Sequence, residues 1–149
     1  MIMAVGIDRI FHFSIDHGCN DSVKFWNFVN VLLSKIELIE EYKLKVRSGK
    51  VLLFLDNASI HYGHLNRQRI VFYSFEILYN VPYESNFNPI EIVFRSIKSR
   101  IKRDLYSDIN EVKNAYLSAI NEMSSSEIIN TWKQTVKEMF SSLKPNINN

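Results

Sequence analysis

Val51-Leu52-Leu53-Phe54-Leu55-Asp56-Asn57-Ala58-Ser59-Ile60-His61 is the stretch on which the reading of the fold turns. Its apolar residues run without alternation, as a strand does when an α/β sheet is covered on both faces. The run then stops at Asp56. A carboxylate in that place stands at the rim of the sheet, where α/β folds gather ligand-binding groups at the carboxyl ends of strands. There it can reach solvent and a cation without being buried unpaired.

Working outward toward the N-terminus, Ile2 to Ile7 and Ile10 to Ile15 read as two short strands joined near Asp8-Arg9. In the second, Phe11, Phe13 and Ile15 alternate with His12 and Ser14, a period of two. Asp16-His17-Gly18-Cys19-Asn20 is a turn, and Asn20 or Asp21 can cap a following helix. That helix carries Phe25, Trp26, Val29, Leu32, Leu33 and Ile36 at helical spacing. A polar, Lys-rich stretch leads from it through Gly49 back to Val51.

Toward the C-terminus the sequence predicts a helix across His64 to Tyr73, a strand around Phe75 to Val81, and a loop from Pro82 to Asn88. Asn88-Pro89-Ile90-Glu91 then opens a helix to about Arg103, with Asn88 as N-cap and Pro89 as first helical residue. Asp108-Ile109-Asn110-Glu111 reads as a capping box for another helix, with Ile109, Val112, Tyr116, Ala119, Ile120 and Met123 inward. Ser124-Ser125-Ser126 interrupts it, and a last helix carries Ile128, Ile129, Trp132, Val136, Met139 and Phe140. Strands come first and helices surround or follow them, so the class is α/β or α+β.

Composition narrows the partners and the compartment. Hydrophobic residues make up 46% and charged residues 23%, a globular rather than a disordered mix. The net charge of +2 is too small to argue for a nucleic-acid partner, so that case rests on where the basic residues sit. Cys19 is the only cysteine, which excludes an internal disulfide and a Cys-built zinc site. A reducing, intracellular compartment is the expectation. No apolar run approaches the roughly 20 residues of a membrane-spanning helix, and Met1-Ile2-Met3-Ala4 lacks the layout of a signal peptide. Without repeats or Gly- or Pro-rich linkers, residues 1–149 read as one domain, a core of 1–103 and a helical extension of 104–149.

Taken singly, the two carboxylates of interest have local explanations. Asp56 can start a turn, and Glu91, the third residue after Asn88, holds the capping-box position that stabilises a helix start. Their surroundings change the weighing. The Asp56-Asn57-Ala58-Ser59-Ile60-His61 string is followed by Val81-Pro82-Tyr83-Glu84-Ser85-Asn86-Phe87-Asn88-Pro89-Ile90-Glu91, with 34 residues between Asp56 and Glu91. This pair of strings, in order and spacing, resembles the DDE endonuclease domain of mariner-type transposases and their insertion-sequence relatives. There a strand ends in Asp-Asn-x-x-x-His, and a Pro-Tyr-Ser-Pro-x-Leu-Asn-Pro-Ile-Glu segment delivers the final carboxylate. The chain departs from that pattern at Glu84, Asn86 and Phe87, and at Phe94 where Trp is common.

The resemblance implies an RNase H-like mixed sheet flanked by helices, with C-terminal helices after it. It implies Asp56 and Glu91 as catalytic metal ligands, with Asn57, His61 and Asn88 as support that orients the loop or contacts the scissile phosphate. The implied cofactors are two Mg²⁺ or Mn²⁺ ions, which suit hard oxygen ligands and promote in-line displacement at phosphorus. The implied partner is DNA, joined by a second copy of the chain or by an upstream helix-turn-helix recognition domain; the implied compartment is the nucleus in a eukaryote.

The family also needs a first Asp on the first strand. The opening hairpin matches the second and third strands of that fold, so the first strand and its Asp are expected to be missing from this sequence. Asp8, Asp16 and Asp21 read instead as turn and cap residues.

The helix after Glu91 carries Arg95, Lys98 and Lys102 along one face, widened by Arg100 and Arg103. Val93, Phe94, Ile97 and Ile101 form the opposite stripe. The basic band suits sequence-independent phosphate contact, or is a solvated face with basic residues favoured near a helix C-terminus. Two functions are therefore carried forward: a DDE endonuclease performing DNA cleavage and strand transfer, and a catalytically inactive DNA-binding or protein-interaction module on the same fold.

Overall fold

A computed structural model describes residues 1–16, 18–62, 75–101 and 106–142. The chain gathers into two compact units: Met1–Ala4 with Ile10–Glu84, and Val5–Arg9 with Ser85–Asn149. The architecture is mixed α/β.

In the first unit, β1 (Ile2–Val5) pairs with β2 (Ile10–Ser14), and β3 (Leu52–Leu55) pairs in parallel with β4 (Glu76–Tyr79). The register sets Leu52 opposite Glu76 and Leu55 opposite Tyr79. Parallel strands need a crossover of a dozen or more residues. Of that crossover a 3₁₀ turn, Ser59–Tyr62, is described; the helix expected across His64 to Tyr73 lies outside the described residues.

The core of this unit is the apolar face of α1 (Ser22–Glu37), with Phe25, Trp26, Val29, Leu32, Leu33 and Ile36 buried. Ile2, Ala4, Phe11, Leu53, Leu55 and Ile77 pack against it. Burying each large aliphatic side chain contributes about 1.5–3 kcal/mol. Of the two candidate caps, Asp21 does the work: its carboxylate accepts from the Lys24 N–H at 2.8 Å.

Two features depart from the sequence reading. The Lys-rich stretch contains a helix, α2 (Glu40–Arg47), with Glu40 and Glu41 in its first turn and Lys45 and Arg47 in its last. Its charges suit the helix dipole, but Val46 is its single buried residue, too little to print a 3.6-residue stripe on the sequence. Secondly, β3 was expected to be covered on both faces. Strand alternation sends Leu53 and Leu55 to the α1 core, while Leu52 remains 57% exposed and Leu78 on β4 51% exposed.

The second unit is helical: α3 (Pro89–Arg100), α4 (Ile109–Asn121) and α5 (Ser125–Ser142). Val93 and Ile97 on α3, Ala119 and Ile120 on α4, and Ile128 on α5 are buried. The Trp132 indole N–H donates to the Gly6 carbonyl at 2.6 Å, joining α5 to the Val5–Arg9 turn of the same unit. The buried line of α5 runs through Ile128, Thr131 and Thr135, leaving Val136, Met139 and Phe140 exposed. Both threonines can be buried because their hydroxyls donate to helix carbonyls, Thr131 to Ile128 at 2.7 Å and Thr135 to Thr131 at 3.0 Å. Among the described residues no helix is long and apolar enough to cross a membrane.

Candidate active site

Asp56 is the first residue beyond β3, and its side chain is 50% exposed. One carboxylate oxygen is occupied locally. Oδ1 accepts from the Ala58 N–H at 3.0 Å, an Asx turn, and lies 3.0 Å from His61 Nδ1. The same Nδ1 is 3.0 Å from the Asp56 carbonyl. Both of these oxygens are acceptors when the carboxylate is ionised, so Nδ1 carries the proton and donates. Oδ2 has no hydrogen-bond partner among the described residues.

His61 is buried, 9% exposed, with its ring against Phe25 at a centroid distance of 4.3 Å. It orients Asp56 from inside the protein. Asn57 is also engaged at both ends: Nδ2 donates to the Asn80 carbonyl at 2.6 Å, and Oδ1 accepts from the Tyr62 hydroxyl at 3.0 Å. Asp56, Asn57 and His61 thus meet in the first unit, and each has a structural partner.

Glu91 belongs to the second unit, in the first turn of α3. Asn88 is the N-cap with its side chain accepting from Ile90 N–H at 3.3 Å, and it is buried. Pro89 occupies the first helical position, where its missing N–H costs nothing. The same arrangement of a polar cap and a Glu three residues later opens the other two helices of this unit. Glu111 accepts from the Ser107 N–H at 2.7 Å, and Glu127 accepts from the Ser124 N–H at 3.0 Å. Glu127 thus closes on its own cap residue, while Glu111 reaches the N–H just before its cap, Asp108. The Glu91 carboxylate makes no such bond among the described residues.

Three comparisons with known proteins bear on this arrangement. The model of the DDE superfamily endonuclease family matches residues 1–113, a span that contains both Asp56 and Glu91. The chain belongs to the DDE superfamily endonucleases. Among solved structures it is similar to the Mos1 transposase catalytic domain, solved with raltegravir and manganese. The TM-score is 0.66 at 13% identity, over 91% of this chain and 72% of that one. At that identity the likeness establishes the fold, which is RNase H-like. No curated protein sequence matches the chain.

In this DDE superfamily chain the basic band of α3 divides by environment. Arg95 and Lys98 are exposed. Arg100 is half-buried and committed: it donates to the Ser96 hydroxyl at 2.5 Å and forms an ion pair with Glu127. The Ser124 N–H first and the Arg100 guanidinium second hold the Glu127 carboxyl below the usual range. Lys102 and Arg103 lie outside the described residues.

The remaining N-terminal acids do local work. Asp8 pairs with Arg9 at 2.7 Å in the β1–β2 turn, Asp16 accepts from the Ser14 hydroxyl, and Asp21 caps α1. Among the described residues no three His, Cys, Asp or Glu side chains form a group able to hold a metal ion. Sequence reasoning missed Tyr62 and Asn80, whose side chains or backbone grip Asn57. Neither belongs to the quoted motifs, and a contact across 23 residues, as between Asn57 and Asn80, leaves no local pattern.

Proposed function

We propose that this chain performs metal-dependent cleavage of DNA phosphodiester bonds, with strand transfer as the following step, using Asp56 and Glu91 as metal-holding carboxylates. The observation that carries the reading is that the Glu91 carboxylate makes no capping bond among the described residues. A glutamate three residues after a helix cap normally closes the cap; Glu127 does so, and Glu111 bonds the N–H just before its cap. Without a capping bond among the described residues, the Glu91 carboxylate is the one we assign to a cation.

The donor chemistry fits a hard divalent cation. Asp56 keeps Oδ2 while Oδ1 is fixed by Ala58 and His61, the second-layer support that metal-binding carboxylates use. Mg²⁺ or Mn²⁺ bound there would activate an attacking water or 3′-hydroxyl and stabilise the leaving oxygen. The Mos1 domain was solved with manganese, which supports the same choice here. His61 keeps Asp56 oriented without leaving the protein interior. Arg95 and Lys98, exposed one and two turns beyond Glu91, would contact phosphates without reading sequence.

A second reading, a DNA-binding module without cleavage, draws on the local roles of Asp8, Asp16 and Asp21, which supply no third carboxylate. The test is nicking of supercoiled DNA by the purified chain in Mg²⁺ or Mn²⁺, with Asp56→Asn and Glu91→Gln beside it. Nicking by the wild type alone is the expected result. DNA retention without nicking in either metal would overturn the enzyme reading in favour of the second.

A further inference from the structure

We infer that Tyr62 is a positioning residue, acting through Asn57 and the Asn80 carbonyl as a strut that fixes the Asp56 carboxylate. The inference rests on Asp56 being a metal-holding group, and it adds two residues that the motif does not contain.

Beyond its last ladder bond a parallel strand pair is free to splay, since nothing further joins the two chains. Here the last ladder bond runs from the Asn80 N–H to the Leu55 carbonyl at 2.8 Å. Two residues further along the first strand, Asn57 Nδ2 donates to the Asn80 carbonyl at 2.6 Å. The peptide carrying Asp56 is therefore bracketed by two bonds to one residue. Asn80 is itself buried, and its Nδ2 donates to the Glu84 carbonyl at 2.7 Å, so the anchor is itself tied down.

Asn57 is exposed and would gain rotamer freedom if released. Tyr62 prevents that. Its hydroxyl donates to Asn57 Oδ1 at 3.0 Å, which orients the amide so that Nδ2 faces Asn80. Its ring is held in turn by stacking on Tyr79, with centroids 4.8 Å apart and planes 19° apart. Tyr79 is the register partner of Leu55, the residue before Asp56. The circuit closes on the strand end that presents the carboxylate.

With both amide ends of Asn57 occupied within the protein, the strut assigns Asn57 to positioning rather than to phosphate contact. His61 and Ala58 then fix Oδ1 from the other side. Loosening the strut should cost metal affinity without costing the fold, because the α1 core is untouched.

The decisive variant is Tyr62→Phe, which keeps the ring stack and deletes the hydroxyl; Asn57→Ala removes the strut itself. Three readouts are taken on the full chain: Mn²⁺ affinity by electron paramagnetic resonance, hydrogen exchange at the Ala58 amide, and the thermal midpoint. Asn57→Ala is expected to weaken Mn²⁺ about 10- to 100-fold, the range for removal of a second-layer partner. Tyr62→Phe, one step further out, is expected to weaken it roughly three- to tenfold. In both, Ala58 exchange accelerates and the midpoint holds. Wild-type Mn²⁺ affinity and Ala58 exchange in both variants would overturn the strut. So would an affinity loss that simply tracks a falling midpoint. If the wild type shows no Asp56-dependent Mn²⁺ binding, the metal reading fails, and Ala58 exchange decides the strut alone.

Discussion

The starts of α3 and α5 are built from the same parts and put them to different uses. Each has a polar cap residue and a glutamate three positions on, Asn88 with Glu91 and Ser124 with Glu127. At α5 the glutamate returns to the Ser124 N–H and also meets Arg100. At α3 the cap is a buried asparagine followed by proline, and the glutamate carboxylate is left without a partner among the described residues. A helix start can dispense with one capping bond because Asn88 and Pro89 already satisfy or remove the first donors. The difference teaches that the same short pattern can make different contacts at two places, and under the proposed function the α3 copy is the one that serves the metal. Only the contacts made by the third residue tell them apart.

The largest effect that would break this comparison is on cleavage. Glu91→Gln is expected to lower Mg²⁺-dependent nicking by roughly a thousandfold or more, since metal ligation underlies several kcal/mol of barrier lowering. Glu127→Gln, assayed at a temperature where it remains folded, should nick like the wild type. Equal losses in the two would erase the distinction. Next in size is DNA affinity. Reversing the charge of Arg95 or Lys98 is expected to weaken binding across unrelated sequences and to flatten the slope of log K against log salt by about 1 per contact. A salt titration by fluorescence anisotropy reads this directly.

Stability sharpens the same contrast at smaller scale. Glu127→Ala and Glu111→Ala are each expected to cost about 1 kcal/mol in urea denaturation, the ordinary value of a helix cap. Glu91→Ala should leave the midpoint where it is. The smallest effect is in pH. The Glu127 carboxyl is held below its usual range by the Ser124 N–H and then by Arg100. A lowered folded-state value stabilises the fold above the ordinary glutamate pKa of about 4.3, and that contribution is lost as pH falls through the lowered value. The deficit of Glu127→Gln relative to wild type should therefore shrink in acid; a constant deficit from pH 7 to 3 would contradict the assignment.

Much of the fold was legible because it rests on local signals. The apolar spacing of Phe25 to Ile36 fixed α1, and the Asn88-Pro89 pair fixed the start of α3, as the structure has them. The motif pair around Asp56 and Glu91 pointed to the family whose model matches residues 1–113. What was not legible depends on distance or on weak patterns. α2 carries one buried residue and so has almost no periodicity. The burial of Thr131 and Thr135 depends on hydroxyls turning back to helix carbonyls, which a hydropathy pattern assigns to the surface. The commitment of Arg100 to Glu127 spans 27 residues, so spacing alone did not show that Arg100 pairs within the protein. The grip of Tyr62 on Asn57 is a matter of side-chain direction that spacing alone does not encode.

The most direct test of the central claim, that Asp56 and Glu91 hold a divalent metal while the other cap glutamates do not, is Mn²⁺ binding. Electron paramagnetic resonance titrations would compare the wild type with Asp56→Asn, Glu91→Gln, Glu111→Gln and Glu127→Gln. The expected result is loss of Mn²⁺ binding in the first two variants and wild-type binding in the last two. Equal Mn²⁺ binding in all five proteins would contradict it.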